Sequence, residues 1–196
     1  MRLILASQSA GRRTLLAQAG VSHEAMAPGV DEDAAKAGLR DLSPRDLADA
    51  LAELKAVKLS ARFPDALVLG CDSVVALPEG RILDKARDPA EAADHLRAMS
   101  GQVHHLWSAA VLARGGRPVW RVVDRAAMHV RPLTEGFIAD YLGREWDQAR
   151  FCVGVYRIEG PGAQLFTRIE GSHFTVIGLP LLPLLGQLRR LGVLPS

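Results

Sequence analysis

Two serines and two arginines share one short stretch near the N-terminus, LILASQSAGRR, in which Ser7 and Ser9 precede Arg12 and Arg13. An apolar run, a small polar step and a helical pattern in that order describe a strand end feeding a helix N-terminus. Such a junction points unpaired backbone N–H groups and the positive end of a helix dipole outward, and guanidinium groups add bidentate donors. The stretch can therefore bind phosphate. The plainer alternative is that Ser9 only caps the helix and the arginines are solvated on its first turn.

Two carboxylates form the second candidate group. Glu32 lies in the acidic cluster Asp31–Glu32–Asp33, and Asp72 interrupts the apolar run ALVLGCDSVVAL. An acid inside a buried strand is costly unless something binds it. Converging on one point, the pair can hold a hard divalent cation such as Mg²⁺ or Mn²⁺, whose remaining ligands are phosphate oxygens and water. Glu32 also reads as a solvated loop acid. Lys55 and Lys85 can neutralise phosphates as point charges, although Lys85 follows the turn PEGRILD and equally suits a hairpin surface. Glu159 stands beside glycines in RIEGPGA, where backbone can approach a ligand closely, or is simply a turn acid. His104 and His105 are adjacent on an expected strand and point to opposite faces, so they cannot chelate together. Trp107, Trp120 and Trp146 read as core or interface residues. No Walker A loop, dinucleotide fingerprint, zinc spacing or serine-hydrolase elbow is present.

The elements that must carry these residues follow from period, caps and turns. Arg2 to Ala6 reads as a buried strand, RRTLLAQAG as a helix ended by Gly20, and HEAMAP as a second strand. PGVDEDAAKAGLRDL reads as a polar connection. Ser43, Pro44 and Asp46 start a helix with the apolar stripe Leu47, Leu51, Leu54, Val57 and Ala61. Lys55 lies at the edge of that stripe and Lys58 within it, so one of them must reach a cleft or a partner. ALVLGCDSVVAL reads as a strand interrupted at Gly-Cys-Asp-Ser. A helix opens at Asp88 and Pro89 and ends near Ser100-Gly101, and the strands HHLWSAAVLAR and PVWRVVDRAAMHV flank the turn RGGR. A helix over Thr134 to Leu142, a Gly-rich turn, another strand and a helix from Pro180 complete the chain. Early alternation with later hairpins predicts an α/β fold with a mixed sheet flanked by helices.

The 196 residues suffice for one sizeable core, so 1–196 is expected to be a single domain. No window approaches the roughly 18 apolar residues of a membrane span, and the first apolar run is shorter than the about 7–15 residues of a signal segment. Cys71 and Cys152 show no metal or redox spacing, which predicts a reduced, cytoplasmic protein. A net charge of +2 does not predict stable nucleic-acid binding.

Taken in order, the motifs resemble the Maf family of nucleoside triphosphate pyrophosphatases. LASQSAGRRTLL is similar to its N-terminal signature, PGVDE to its acidic loop, LAELKA to its lysine helix, GCDSVV to its GxDxVV strand, ILDK to the second lysine segment, and LRAMSGQVH to the helix end that follows. RIEGPGAQLFTRIEGSHFTVIGLPLLPL is similar to its C-terminal signature. The resemblance runs from residue 3 to about residue 190. It implies a twisted mixed sheet in two lobes around a central cleft, like that of inosine triphosphatases. It also implies cleavage between the α- and β-phosphates, a divalent metal and a homodimer. Carried over, Asp72 activates water and contacts the metal, Glu32 assists the metal, and Ser7, Ser9, Arg12, Lys55 and Lys85 hold phosphates, with Arg13 beside them.

Members resembling the dTTP/UTP type carry arginine, threonine and glutamine at the places of Gly11, Ser73 and Glu159. Glu159 instead matches the 7-methyl-GTP type, while Gly11 and Ser73 match neither. A carboxylate only accepts hydrogen bonds and so favours an N–H donor edge or a cationic methylated purine. Ala86 replaces the family's usual proline. Alternatives are dTTP/UTP specificity, another phosphohydrolase acting on nucleotide sugars or dinucleotides, or a non-enzymatic regulator of septum formation and cell division, which the family resemblance also brings.

Overall fold

In the computed structural model, which describes residues 1–195, the opening apolar run forms β1 (Leu3–Ala6), buried throughout. Ser9 caps α1 (Ala10–Gln18), and Gly20, at φ +71°, ends it in the left-handed conformation that glycine adopts freely. HEAMAP contributes only β2 (Glu24–Ala25). The expected polar connection instead contains a helix, α2 (Glu32–Gly38), capped by Asp31, which accepts from the Ala34 amide at 3.0 Å. Glu32 is therefore a first-turn helix residue and not a loop acid.

The next helix, α3 (Pro44–Arg62), begins as its sequence predicts. Ser43 Oγ accepts from the Asp46 amide at 3.2 Å and donates to the Asp46 carboxylate at 2.7 Å. Its buried face is rotated from the expected stripe. Leu47 and Leu51 are buried, but Leu54, Val57 and Ala61 are not, and Ala48, Ala52, Lys55, Ala56 and Leu59 take their place. The cause is Gly70 on β3 (Leu67–Ala76), a strand that runs through Gly-Cys-Asp-Ser without interruption. A Cβ at Gly70 would lie 2.1 Å from the Ala52 carbonyl oxygen and 2.6 Å from the Ala56 nitrogen. Only a glycine opposite small residues lets helix backbone approach strand backbone this closely. Since residues two apart share a strand face, Asp72 emerges on the side of Gly70 that α3 covers.

Beyond β4 (Ile82–Leu83), Asp88 caps α4 (Pro89–Met99). The strands β5 (Val103–Arg114) and β6 (Arg117–Val130) are joined by Gly115 and Gly116, both at positive φ (+55° and +77°), as a two-residue type I′ turn requires. Thr134 caps α5 (Glu135–Ala149), which continues well past Leu142. The Gly-rich segment folds into single 3₁₀ turns at Val153–Val155 and Pro161–Leu165. The chain closes with β7 (Phe166–Glu170), a short α6 (His173–Ile177) and α7 (Leu181–Arg190).

The seven strands form one mixed sheet in the order β2-β1-β3-β5-β6-β7, with β4 paired to β3. β1 is parallel to β2 and β3, whereas β3–β4 and β6–β7 are antiparallel. Two compact units are present: residues 1–73, 108–124 and from 178 onward form the first, and residues 74–107 and 125–177 the second. In the first, Ile4, Ala6, Leu59, Ala66 and Val68 pack together. In the second, β-strand residues such as Val75, Leu106 and Met128 pack with Leu96 of α4 and Ile138 and Tyr141 of α5. No described helix is long and apolar enough to cross a membrane.

Candidate active site

Lys55 is the organising cation of the first unit. Only 4% exposed, it places its ammonium 2.6 Å from Asp72 Oδ1 and 2.9 Å from Glu32 Oε1. Helix α3 brings the lysine, β3 the buried aspartate and the first turn of α2 the glutamate. Burial of one ion pair is rarely stabilising by itself, but removing one partner costs about 3–5 kcal/mol because the other charge is then stranded. The snorkelling expected of Lys55 or Lys58 is thus divided: Lys55 turns inward to the carboxylates, and the exposed Lys58 donates to the Gly29 carbonyl.

The two carboxylates against one ammonium leave a net negative charge made of hard oxygen donors. That donor set fits Mg²⁺ or Mn²⁺ rather than a soft metal. Among the described residues no cluster of three or more His, Cys, Asp or Glu side chains is positioned to hold a metal. Glu32 and Asp72 would be the protein ligands, with phosphate and water completing the shell.

Arg12 is the second centre. Its guanidinium is directed mainly into the protein: Nε donates to the Gly178 carbonyl at 2.8 Å, Nη1 to the Cys71 carbonyl at 3.2 Å and Ser7 Oγ at 3.4 Å, and Nη2 to Ser73 Oγ at 2.9 Å. With five N–H groups, Arg12 keeps one for anything else. Ser73 Oγ also meets the fully buried Ser108 Oγ at 2.9 Å. Ser7 accepts from the Ser9 amide at 3.2 Å, and Ser9 accepts from the Arg12 amide at 3.4 Å. Gly11 is half-buried in α1, and Arg13 is exposed on it. Because α1 has no acidic residue in its first turn, the positive end of its dipole is not offset there. Burial pushes the Cys71 thiol up to about 11, against the opposing pull of Arg12 and Lys55.

Ser7, Ser9, Arg12, Glu32, Lys55, Asp72 and Ser73 thus all belong to the first unit, and hydrogen bonds and ion pairs join them in two groups that meet at Cys71–Asp72. Lys85 and Glu159 belong to the second unit. Lys85 is exposed just after β4, and Glu159 is exposed in a turn closed by the Gly160 amide donating to the Arg157 carbonyl at 3.2 Å. Sequence reasoning did not single out Ser108 or Gly178. Glycine leaves a signal only once the fold is known: a Cβ at Gly178, whose φ is +112°, would lie 3.1 Å from Ser73 Oγ and 3.3 Å from Arg12 Nε. His104 and His105 do face opposite ways; His104 is fully buried, and its Nε2 meets Tyr156 Oη at 2.9 Å. The three tryptophans are half-buried, and both cysteines are free.

The family model of Maf-like proteins matches residues 2–191. A nucleoside triphosphate pyrophosphatase of Sphingopyxis alaskensis is 52% identical over the whole length of both chains. A nucleoside triphosphate pyrophosphatase of Caulobacter vibrioides is 50% identical over 97% of this chain and 96% of its own. A 7-methyl-GTP pyrophosphatase of Rhizobium meliloti is 50% identical over 99% of this chain and 98% of its own. With about half its positions shared with these relatives and a family match over residues 2–191, the chain belongs to the family of Maf-like proteins.

Proposed function

We propose that this protein is a hydrolase that cleaves nucleoside triphosphates between the α- and β-phosphates, releasing a nucleoside monophosphate and pyrophosphate. The observation that carries this reading is the buried Lys55 bridging Asp72 and Glu32, one residue along β3 from the carbonyl that Arg12 grips. The printed names of the relatives agree with it. In this reading Asp72 accepts the proton of the attacking water, a role worth about 10²–10⁴-fold for a placed base. Lys55 holds that carboxylate in place and balances charge. Ser7, Ser9, the remaining Arg12 N–H, Arg13, Lys55, Lys85 and the amides at the start of α1 bind phosphate oxygens, so positioning and charge neutralisation supply most of the rate. When bound by Glu32 and Asp72, a hard divalent cation supplies further positive charge against the phosphates.

Gly11, Ser73 and Glu159 are read as the specificity positions. Glu159 favours 7-methyl-GTP over dTTP or UTP, because its carboxylate accepts from a donor edge and attracts a cationic base; three relatives bear the corresponding name. The proposal includes a homodimer, a cytoplasmic setting, a single functional domain over 1–196 and a housecleaning role without stable nucleic-acid binding.

The test is pyrophosphate release from dTTP, UTP, CTP, GTP and 7-methyl-GTP with Mg²⁺ or Mn²⁺, by the protein and by Asp72→Asn. Turnover that falls at least 100-fold in the variant is expected. Equal turnover in both, or none with any nucleotide, refutes the mechanism and leaves the regulatory role as the better reading.

A further inference from the structure

The turn that carries Glu159 is not a free surface loop. Helix α5 grips the segment before it at two residues one helical turn apart. Tyr141 Oη donates to the Val155 carbonyl at 3.0 Å, and Glu145 Oε2 accepts from Arg157 Nη2 at 3.0 Å. Glu145 is 8% exposed, an unusual place for a carboxylate without a function in packing or binding. Val155 is itself held at φ +60°, a conformation costly for a β-branched residue and kept only where surroundings enforce it.

The chain then folds back over Arg157. A Cβ at Gly160 would lie 3.1 Å from Arg157 Nη2 and 3.6 Å from Glu145 Oε2, and one at Gly162 would lie 2.5 Å from the Arg157 carbonyl oxygen. Gly162 is therefore required by the close approach of the Arg157 backbone, whereas a methyl group at Gly160 would meet only the ends of the Arg157 and Glu145 side chains. Glu159 sits between Arg157 and Gly160, the two ends of a turn closed by a backbone hydrogen bond. The Arg157–Glu145 ion pair ties one end of that turn to α5.

We infer that Glu145 and Arg157 are positioning residues for nucleobase selection: their buried ion pair fixes the turn that presents Glu159. This rests on the reading of Glu159 given above. Without the pair, the turn loses its side-chain tie to α5 and keeps only the Tyr141–Val155 and Gly160–Arg157 bonds, the Glu159 carboxylate samples other positions, and discrimination between bases falls while the phosphate chemistry of Asp72 and Lys55 remains.

The experiment measures kcat/KM for 7-methyl-GTP and for dTTP in the intact protein, Glu159→Gln, Glu145→Gln, Arg157→Lys and the double variant Glu145→Gln/Glu159→Gln. The neutral amide of Glu145→Gln keeps an acceptor for Arg157 and guards against misfolding, and Arg157→Lys keeps the charge but not the planar fork. The expected result is a preference ratio lowered at least fivefold by Glu145→Gln, lowered less by Arg157→Lys, and no lower in the double variant than in Glu159→Gln alone. A merely structural pair would lower both kcat/KM values together and leave the ratio unchanged. That outcome, with the ratio altered in Glu159→Gln, overturns the inference while sparing the role of Glu159. An unaltered ratio in Glu159→Gln removes that role, and the inference falls with it.

Discussion

Gly70→Ala should damage the protein far out of proportion to one added methyl group. The new Cβ would stand 2.1 Å from the Ala52 carbonyl oxygen, 2.6 Å from the Ala56 nitrogen and 2.8 Å from the Ala56 Cβ. Carbon–oxygen contacts lie at about 3.3 Å or more, so α3 must withdraw by about 1 Å along its whole inner face. Overpacking alone costs about 1–3 kcal/mol. The withdrawal also carries Lys55 away from Asp72, and full loss of a buried pair costs about 3–5 kcal/mol. Partial loss added to overpacking gives about 3 kcal/mol, a large share of the about 5–15 kcal/mol that holds a domain folded. With a urea dependence of about 2–3 kcal/mol per molar, the unfolding midpoint drops by about 1–1.5 M. Pyrophosphate release should fall with it even under conditions where the variant is folded. Gly143→Ala is the control: on α5 a Cβ there meets nothing within 4 Å, and alanine should stabilise by about 0.5–1 kcal/mol. A Gly70→Ala midpoint within about 0.2 M of the parent, on the same urea dependence, would refute the account of how α3 delivers Lys55.

Two further perturbations follow from the same geometry. Ser108→Ala deprives Ser73 of its buried partner, so about 1 kcal/mol of stability is lost. With Arg12 less firmly oriented, steady-state kinetics should show KM for triphosphate rising more than kcat falls; an unchanged KM would contradict this. His104 gives a pH dependence, because burial, helped by His105, lowers its pKa to about 4. Above its unfolded value of 6.5 both states are neutral and its contribution is intact; between 6.5 and about 4 the unfolded chain takes up a proton that the folded chain refuses. Stability therefore falls over that window by about 3 kcal/mol in full. Urea unfolding at several pH values should show a shallower decline in His104→Gln, and parallel declines would exclude the effect.

The chemistry was more legible in the sequence than the packing that delivers it. Asp72 stands out because a carboxylate inside an apolar strand demands a partner, and Lys55 because it falls near a buried stripe. Neither signal reveals their 2.6 Å pairing, which depends on Gly70 and three alanines whose small side chains carry little hydrophobic weight. Leu54 looked like a core residue and is 38% exposed for the same reason. Helix α2 escaped notice because none of its residues is buried, so no stripe exists to read. The far end of α5 was hidden by Glu145, a buried acid whose partner Arg157 lies in the connection between the two 3₁₀ turns. Arg12 was legible as a cation beside a helix start, but the inward direction of its donors was not, since the most remote acceptor lies 166 residues away.

That last separation has a consequence during synthesis. The ribosome makes Arg12 early and Gly178 only 166 residues later, which at about 5–20 residues per second is a wait of roughly 8–33 s. Until the end of that interval the growing chain, even once it holds β1, α1, α3 and β3, lacks the carbonyl that fixes the Arg12 Nε–H, and the first unit has not received its third segment. A product abandoned before residue 178 keeps Ser7, Cys71 and Ser73 as partners for Arg12 but not the carbonyl that receives its Nε–H. The orientation of that guanidinium is thus completed only when the last segment of the first unit has been made.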